Sequence, residues 1–161
     1  MNNELIKTAR RILGAAKRKP SQADLRRAVS TAYYAMFDAL ARICADEIVG
    51  RSPAKRSTAE WARVYRALEH GKSKNALNEI KSRKLFPGGI DVNLTAFCEM
   101  LEKLKQRRHQ ADYDPTPLKL KRDDVGLLIG QAETVVEDFL GQASVDQRRA
   151  LAFACIIPRR A

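Results

Sequence analysis

Apolar residues recur every three to four positions along most of this chain, which is the spacing of one face of an α-helix. A first stripe covers residues 5–16 and stops near Pro20. A second covers residues 25–48, and Ser21 with Asp24 three positions later predicts a capping-box start for it. Sustained alternation of the β-strand type is not found, so the pattern predicts a helical protein.

The second half of the chain continues the same pattern in segments of unequal length. Thr58 is expected to cap a short helix, and His70 followed by Gly71 is interpreted as its end rather than as a catalytic pair. A long helix is expected to end at Asp114, because a residue before proline avoids the α-helical region. The further helices are a short one over 75–83, the long one from residue 94, another over 123–141 closed by Gly141, and a short basic one capped by Ser144.

Four long amphipathic helices with short helices between them favour an all-α, up-and-down four-helix bundle. The length of 161 residues fits one domain. We expect the bundle to cover residues 1–143 and a short basic C-terminal helix or tail to cover residues 144–161.

Cysteine usage and hydropathy indicate a cytoplasmic protein. The three cysteines, Cys44, Cys98 and Cys155, are odd in number and far apart, which argues against a disulfide framework and a cysteine zinc site. The start of the chain lacks the apolar region of a signal peptide. The longest apolar run, residues 151–157, is too short to span a bilayer. We expect no membrane association, no metal and no other cofactor.

The net charge is +11, and the excess is concentrated in the middle of the chain. Residues 51–90 carry ten Lys and Arg against three Asp and Glu. Such a segment attracts polyanions, either nucleic acid or an acidic protein partner, although a solvated basic surface would have the same composition. We expect Arg51, Lys55 and Arg56 of its loop to contact RNA or other phosphate groups.

The long helix that starts near residue 94 carries an arginine where its apolar stripe predicts a core residue. The stripe of residues 94–104 steps by three and four, and the next step of four reaches Arg108, whereas Arg107 points about 100° away. A guanidinium at such a position needs an anion, because an unpaired buried charge is costly. Asp112, four residues on, can supply it within the helix, or Arg108 can line a cleft and bind phosphate. The two interpretations are compatible.

Three segments together carry a resemblance to a known family. They are LRRAVSTAYYAMFDAL (residues 25–40), WARVYRALEHG (61–71) and RHQADYDP (108–115). Over roughly residues 1–140 the chain resembles the HEPN domains, small helical bundles that generally form homodimers. The resemblance implies a protein that binds RNA or nucleotides, in many members a metal-independent ribonuclease. Many members are the toxin of a toxin–antitoxin pair and are restrained by a minimal nucleotidyltransferase partner.

The resemblance also implies site residues. HEPN ribonucleases use an Arg followed after four to six residues by a His, in a cleft at the dimer interface. Arg108 matches the Arg, with Arg107 beside it, but Asp112 and Tyr113 occupy the region of the His, and His109 directly follows Arg108. We therefore expect Arg108 to hold phosphate, Asp112 to orient it, and Tyr113 to donate a proton or hydrogen bond, with His109 as the alternative proton carrier. A non-catalytic interaction module that works with a nucleotidyltransferase partner is the other interpretation.

Two residues of the helix over 25–48 are placed at the cleft or the dimer face. Tyr34 lies beside the stripe position Tyr33, so it belongs either to the core or to the cleft. Asp38, four residues later, can pair with Arg42 or reach Arg108 from a neighbouring helix.

Overall fold

A computed structural model describes residues 4–14, 19–113 and 119–157 of the chain. These residues form α-helices without any β-strand, which confirms the predicted all-α class. The helices are α1 (Glu4–Gly14), α2 (Gln22–Ile48), α3 (Thr58–Ala67), α4 (Lys72–Ser82), α5 (Val92–Tyr113), α6 (Arg122–Gln142) and α7 (Val145–Ile156). None of them, within the described ranges, is long and apolar enough to cross a lipid bilayer.

Helix α2 is the centre of the structure and contacts α1, α3, α5, α6 and α7. It begins with the predicted capping box: the Ser21 hydroxyl accepts a hydrogen bond from the Asp24 amide, and the Asp24 carboxylate accepts one from the Ser21 amide at 2.9 Å. Alanines make up much of its buried surface, and these small side chains allow neighbouring helices to approach closely. The buried alanines are Ala28, Ala32, Ala35, Ala39, Ala41 and Ala45.

Three expected helix boundaries are wrong. Ser57, not Thr58, caps α3, because Ser57 has the extended backbone of an N-cap and its hydroxyl accepts from the Glu60 amide. Helix α3 ends at Ala67, and Gly71, with φ of +88°, precedes α4 instead of ending α3. Gly141 lies inside α6, which continues to Gln142. A helical glycine costs only about 1 kcal/mol, which is small enough for α6 to continue one residue beyond it.

Helix lengths differ from those expected. Helices α2, α5 and α6 each have more than 20 residues, whereas α1 has 11 within the described residues. Four helices of similar length are therefore not found in the described part of the chain, and the four-helix arrangement stays a prediction.

Helix α7 packs against α2 and α4. Its buried residues Leu151, Ala152 and Cys155 belong to the same core cluster as those of α2 and α5. A buried ion pair adds to this contact, because Arg148 Nε donates to Glu47 Oε1 at 3.1 Å. Helix α7 is thus anchored to α2 by apolar contacts and, at the C-terminal end of α2, by an ionic one.

Candidate phosphate-binding site

The apolar stripe of α5 leads to Arg108, as the sequence pattern predicts. Leu94, Phe97, Leu101 and Leu104 are buried. One turn later, the side chain of Arg108 is 23% exposed. The guanidinium therefore lies at the edge of the core, neither enclosed by it nor directed into bulk water.

Two tyrosines of α2 cover the guanidinium of Arg108. Its Cζ atom lies 5.2 Å from the ring centroid of Tyr33 and 4.7 Å from that of Tyr34. Both distances are within the range of cation–π attraction, which fixes the position of the charge. Tyr33 is 1% exposed and Tyr34 is 41% exposed, so Tyr34 belongs to the edge of this site and Tyr33 to its floor.

Asp112 holds one edge of the guanidinium. Arg108 Nε donates to Asp112 Oδ2 at 3.2 Å, and the Ser30 hydroxyl of α2 donates to Asp112 Oδ1 at 3.2 Å. Burial favours a lower pKa for Arg108, but Tyr34 and the hydrogen bond to Asp112 outweigh it, so its pKa lies above the ordinary value. Among the described residues, no second carboxylate pairs with Arg108. The terminal Nη groups thus keep donors for an incoming anion, and their planar arrangement suits phosphate oxygens.

His70, which the sequence pattern did not assign to a site, reaches the same place from the loop between α3 and α4. Its Nδ1 atom lies 2.6 Å from the Tyr33 hydroxyl, and its ring stacks on Phe37 with centroids 4.2 Å apart. Burial and then the positive charges of Arg108 and Lys105 lower its pKa below the usual 6.5. Burial and these charges therefore favour the neutral imidazole. The residues of the Arg108 niche, as we call this site, are Ser30, Tyr33, Tyr34, His70, Arg108 and Asp112.

Lys105 is a second cation beside the niche. It precedes Arg108 by almost one turn of α5, and its Nζ atom lies so close to Gly71 that a Cβ atom there would be 3.0 Å away. Lys105 also forms an ion pair of 3.6 Å with Glu102. Two cations of α5 therefore act on His70, and the niche attracts anions more strongly than Arg108 alone would.

Comparison of this chain with protein-family models, curated proteins and solved structures finds no match. The HEPN resemblance therefore rests on the three motifs and stays a prediction. Over the described residues, no group of three or more His, Cys, Asp or Glu side chains is placed to hold a metal ion.

The other expected residues of α5 lie outside the niche. His109 and Tyr113 contact each other, with ring centroids 5.2 Å apart, and both are exposed; Tyr113 is 67% exposed. Arg107 is also exposed, as its position about 100° from Arg108 requires. These three residues can contact a partner or a long ligand, but they do not share the Tyr33–Tyr34 surface with Arg108.

Asp38 pairs with Arg42, which is the first of the two partners that the sequence allowed. It accepts a hydrogen bond from Arg42 Nε at 2.8 Å and another from the Tyr65 hydroxyl at 2.6 Å. Asp38 therefore links α2 to α3. Asp112, not Asp38, is the carboxylate that pairs with Arg108.

The expected phosphate-binding residues of the basic loop lie beyond the C-terminal end of α2, away from the niche. With a rise of about 1.5 Å per residue, Tyr34 and Asp46 are about 18 Å apart along the helix. Arg56 Nη1 donates to Asp46 at 2.8 Å and to the Gly50 carbonyl at 3.2 Å, and its guanidinium lies 4.4 Å from the Trp61 ring. These contacts hold the loop in place.

Arg51 and Lys55 are exposed and lie near this second region. Arg51 pairs with Glu47, and it lines an open groove of about 370 Å³ together with Arg56. Lys55 lies in a turn, where its amide donates to the Ser52 carbonyl at 3.0 Å. The structure thus separates the expected phosphate-binding cations into Arg108 in the niche, the exposed Arg107 beside it, and this distant group.

Proposed function

We propose that this protein is a HEPN-type RNA-binding protein and that the Arg108 niche binds a phosphate group of the RNA backbone. The observation that carries the proposal is a guanidinium fixed by two tyrosine rings and one carboxylate, with no hydrogen bond from its Nη groups to any carboxylate among the described residues. Preorganisation of this kind reduces the entropy lost on binding, so one such contact contributes more than a mobile surface lysine does.

Single-stranded RNA fits the rest of the surface better than a small inorganic anion does. Tyr34 presents a half-exposed ring beside the guanidinium, and aromatic side chains are platforms on which unstacked bases bind. Arg107 extends the positive charge along the surface of α5. A nucleotide chain can therefore place one phosphate on Arg108 and one base on Tyr34.

Metal-independent cleavage of RNA by a homodimer is the further expectation from the resemblance. Two copies of Arg108 facing one cleft would stabilise the negative charge that develops on the phosphate during attack by the 2′-hydroxyl. On this proposal the protein acts in the cytoplasm as a ribonuclease toxin and is paired with a nucleotidyltransferase antitoxin.

The experiment compares RNA affinity for Arg108→Gln and Arg107→Gln. Both substitutions remove one charge from neighbouring positions of α5, but only Arg108 has the fixed geometry. A charge-assisted hydrogen bond contributes about 1.5–3 kcal/mol, so we expect Arg108→Gln to weaken binding of a short single-stranded RNA about tenfold or more in a fluorescence anisotropy titration. Arg107→Gln should change it less than about threefold. Equal losses would show that general charge, not the niche, binds the RNA.

Cleavage is tested in the same samples in the presence of EDTA. Fragments produced by the wild type and lost in Arg108→Gln would support a ribonuclease. If the wild type binds the RNA but leaves it intact, and Arg108→Gln weakens this binding, the niche has a binding role without cleavage.

A second function, a non-catalytic module that works with a nucleotidyltransferase partner, is favoured by the exposure of Tyr113. Its ring is 67% exposed at the end of α5 and contacts only the exposed His109 among the described aromatic residues. Such a side chain is available as a contact or modification point. Tyr113→Phe is the test: loss of partner capture with unchanged RNA affinity would favour the module, and capture equal to that of the wild type would contradict it.

A further inference from the structure

His70 is held in one orientation by two residues of α2. The Tyr33 hydroxyl lies 2.6 Å from Nδ1, and Phe37 stacks on the imidazole with 27° between the planes. The Tyr34 ring meets the imidazole edge-on, with centroids 6.3 Å apart. Tyr33 and Tyr34 are the same rings that cover the guanidinium of Arg108. The imidazole and the guanidinium therefore share one aromatic surface.

One ring nitrogen of His70 remains available. Nδ1 is engaged by Tyr33, and among the described residues no hydrogen bond reaches Nε2. The residue as a whole is exposed at the surface, although its ring rests on Phe37. A ligand can thus bind Nε2 without displacing a hydrogen bond of the described residues.

The charged and titratable groups around His70 come from three elements. They are Tyr33 and Tyr34 of α2, Glu102, Lys105 and Arg108 of α5, and Glu69 of the α3–α4 loop, which pairs with Lys72 of α4 at 3.2 Å. Of these groups, the guanidinium of Arg108 and then the ammonium of Lys105, which also pairs with Glu102, are the charges that act on the imidazole. They oppose a further positive charge. A bound phosphate would neutralise them and add an acceptor.

We propose that His70 is a second ligand of the phosphate group bound at Arg108, and that it takes up a proton when that phosphate binds. The inference rests on the proposed function, because it needs a phosphate on Arg108. It adds a specific residue and a linkage between proton and ligand. An anion beside an imidazole favours the charged form, and the reciprocal effect is tighter binding at lower pH.

This arrangement would give the niche a proton-carrying imidazole from the loop between α3 and α4. The resemblance places such a histidine late in the long helix, where this chain has Asp112 and Tyr113. His70 would supply the same chemical group from a different element.

The chain has two histidines, His70 and His109, which makes the test direct. The pKa of each imidazole is measured by NMR in the wild-type protein, with and without a short single-stranded RNA whose 2′-hydroxyls are methylated to prevent cleavage. We expect the pKa of His70 to rise by about one pH unit on binding, which corresponds to an about tenfold gain in affinity from high to low pH. The exposed His109, which lies outside the niche, is the internal control.

His70→Gln removes the titratable imidazole and keeps a polar side chain of similar size. Its RNA affinity should lose the pH dependence between about pH 5 and 7.5, whereas His109→Gln should keep it. If His70→Gln does not fold, the wild-type NMR titration alone decides the question.

The outcomes separate the inference from the proposed function. RNA binding that needs Arg108 but leaves the pKa of His70 unchanged would overturn the inference and leave the proposed function intact. RNA binding that is indifferent to Arg108→Gln, or no binding at all, would overturn both.

Discussion

Replacing Arg148 with Met removes a buried cation from the contact between α7 and α2. The side chain of Arg148 is 7% exposed and that of its partner Glu47 is 4% exposed. Arg148 Nη1 also donates to the Ala143 carbonyl at the end of α6. Burial by itself favours a higher pKa for Glu47, but hydrogen bonds from Arg51 and Arg148 outweigh it, and the pKa of this carboxyl lies below its ordinary value. The substitution leaves a charged, desolvated carboxylate with weaker partners.

The expected cost is about 3–5 kcal/mol, the range for removing one partner of a buried ion pair. The value should fall near the lower end, because Arg51 and Arg149 still reach Glu47 from the surface. For a chain of this size the loss lowers the melting temperature by about 6–20 °C. Urea unfolding followed by circular dichroism gives the free energy of unfolding. If its slope against urea concentration equals that of the wild type, the two proteins expose the same surface on unfolding and their free energies can be compared.

Arg149→Met is the matched control. Arg149 is the next residue of α7 and contacts the same carboxylate at 3.6 Å, but its side chain is 55% exposed. Exposed ion pairs contribute at most about 1 kcal/mol, so this variant should be nearly as stable as the wild type. Adding Glu47→Gln to Arg148→Met should recover part of the loss, because the unpaired charge is then removed. Equal stabilities of the Arg148 and Arg149 variants would refute the assignment of a buried ionic link.

Two further predictions concern the loop that carries His70. Because burial and nearby cations lower the pKa of His70 in the folded protein, the unfolded chain binds more protons as pH falls through about 6.5, and stability is lost from there down to the folded pKa. His70→Gln should lack this part of the acid-induced loss in urea unfolding at a series of pH values, and an identical profile would contradict it. Gly71→Ala should destabilise by about 1–2 kcal/mol, since Gly71 has φ of +88° and a Cβ atom would lie 3.0 Å from Lys105 Nζ. Gly88→Ala is the control, because nothing lies within 4 Å of a Cβ atom at that position. Equal thermal stability of the two variants would show that a side chain at residue 71 causes no backbone strain.

Local patterns predicted the helices and the position of Arg108. The capping box at Ser21 depends on residues three positions apart, and the α5 stripe depends on steps of three and four. The Arg108–Asp112 pair follows from the same spacing. Such features are set by neighbours in sequence, so helix geometry suffices to derive them.

Contacts between distant segments could not be predicted in this way. The Tyr33–His70 hydrogen bond joins residues 37 positions apart, and the Arg148–Glu47 pair joins residues 101 positions apart. Periodicity identifies which face of a helix is buried, but it does not say which side chain of another element meets that face. The sequence therefore predicts a helix-ending role for His70, whereas the contact of the α3–α4 loop with α2 brings it to Tyr33.

The cations of the basic loop show that composition also overestimates a binding site. Charge counts group Arg51, Lys55 and Arg56 with any other basic residue, but Arg56 is occupied by Asp46 and Trp61. Composition gives the sum of charges, whereas the structure shows which of them already have partners.

We propose above that the Nη groups of Arg108 bind a backbone phosphate of RNA. A crystal structure with a short, uncleavable single-stranded RNA tests it most directly. We expect a phosphate oxygen about 2.7–2.9 Å from Arg108 Nη, with Asp112 still accepting from Nε. RNA bound in the groove beside Arg51, with the Arg108 guanidinium contacting no phosphate, would contradict it.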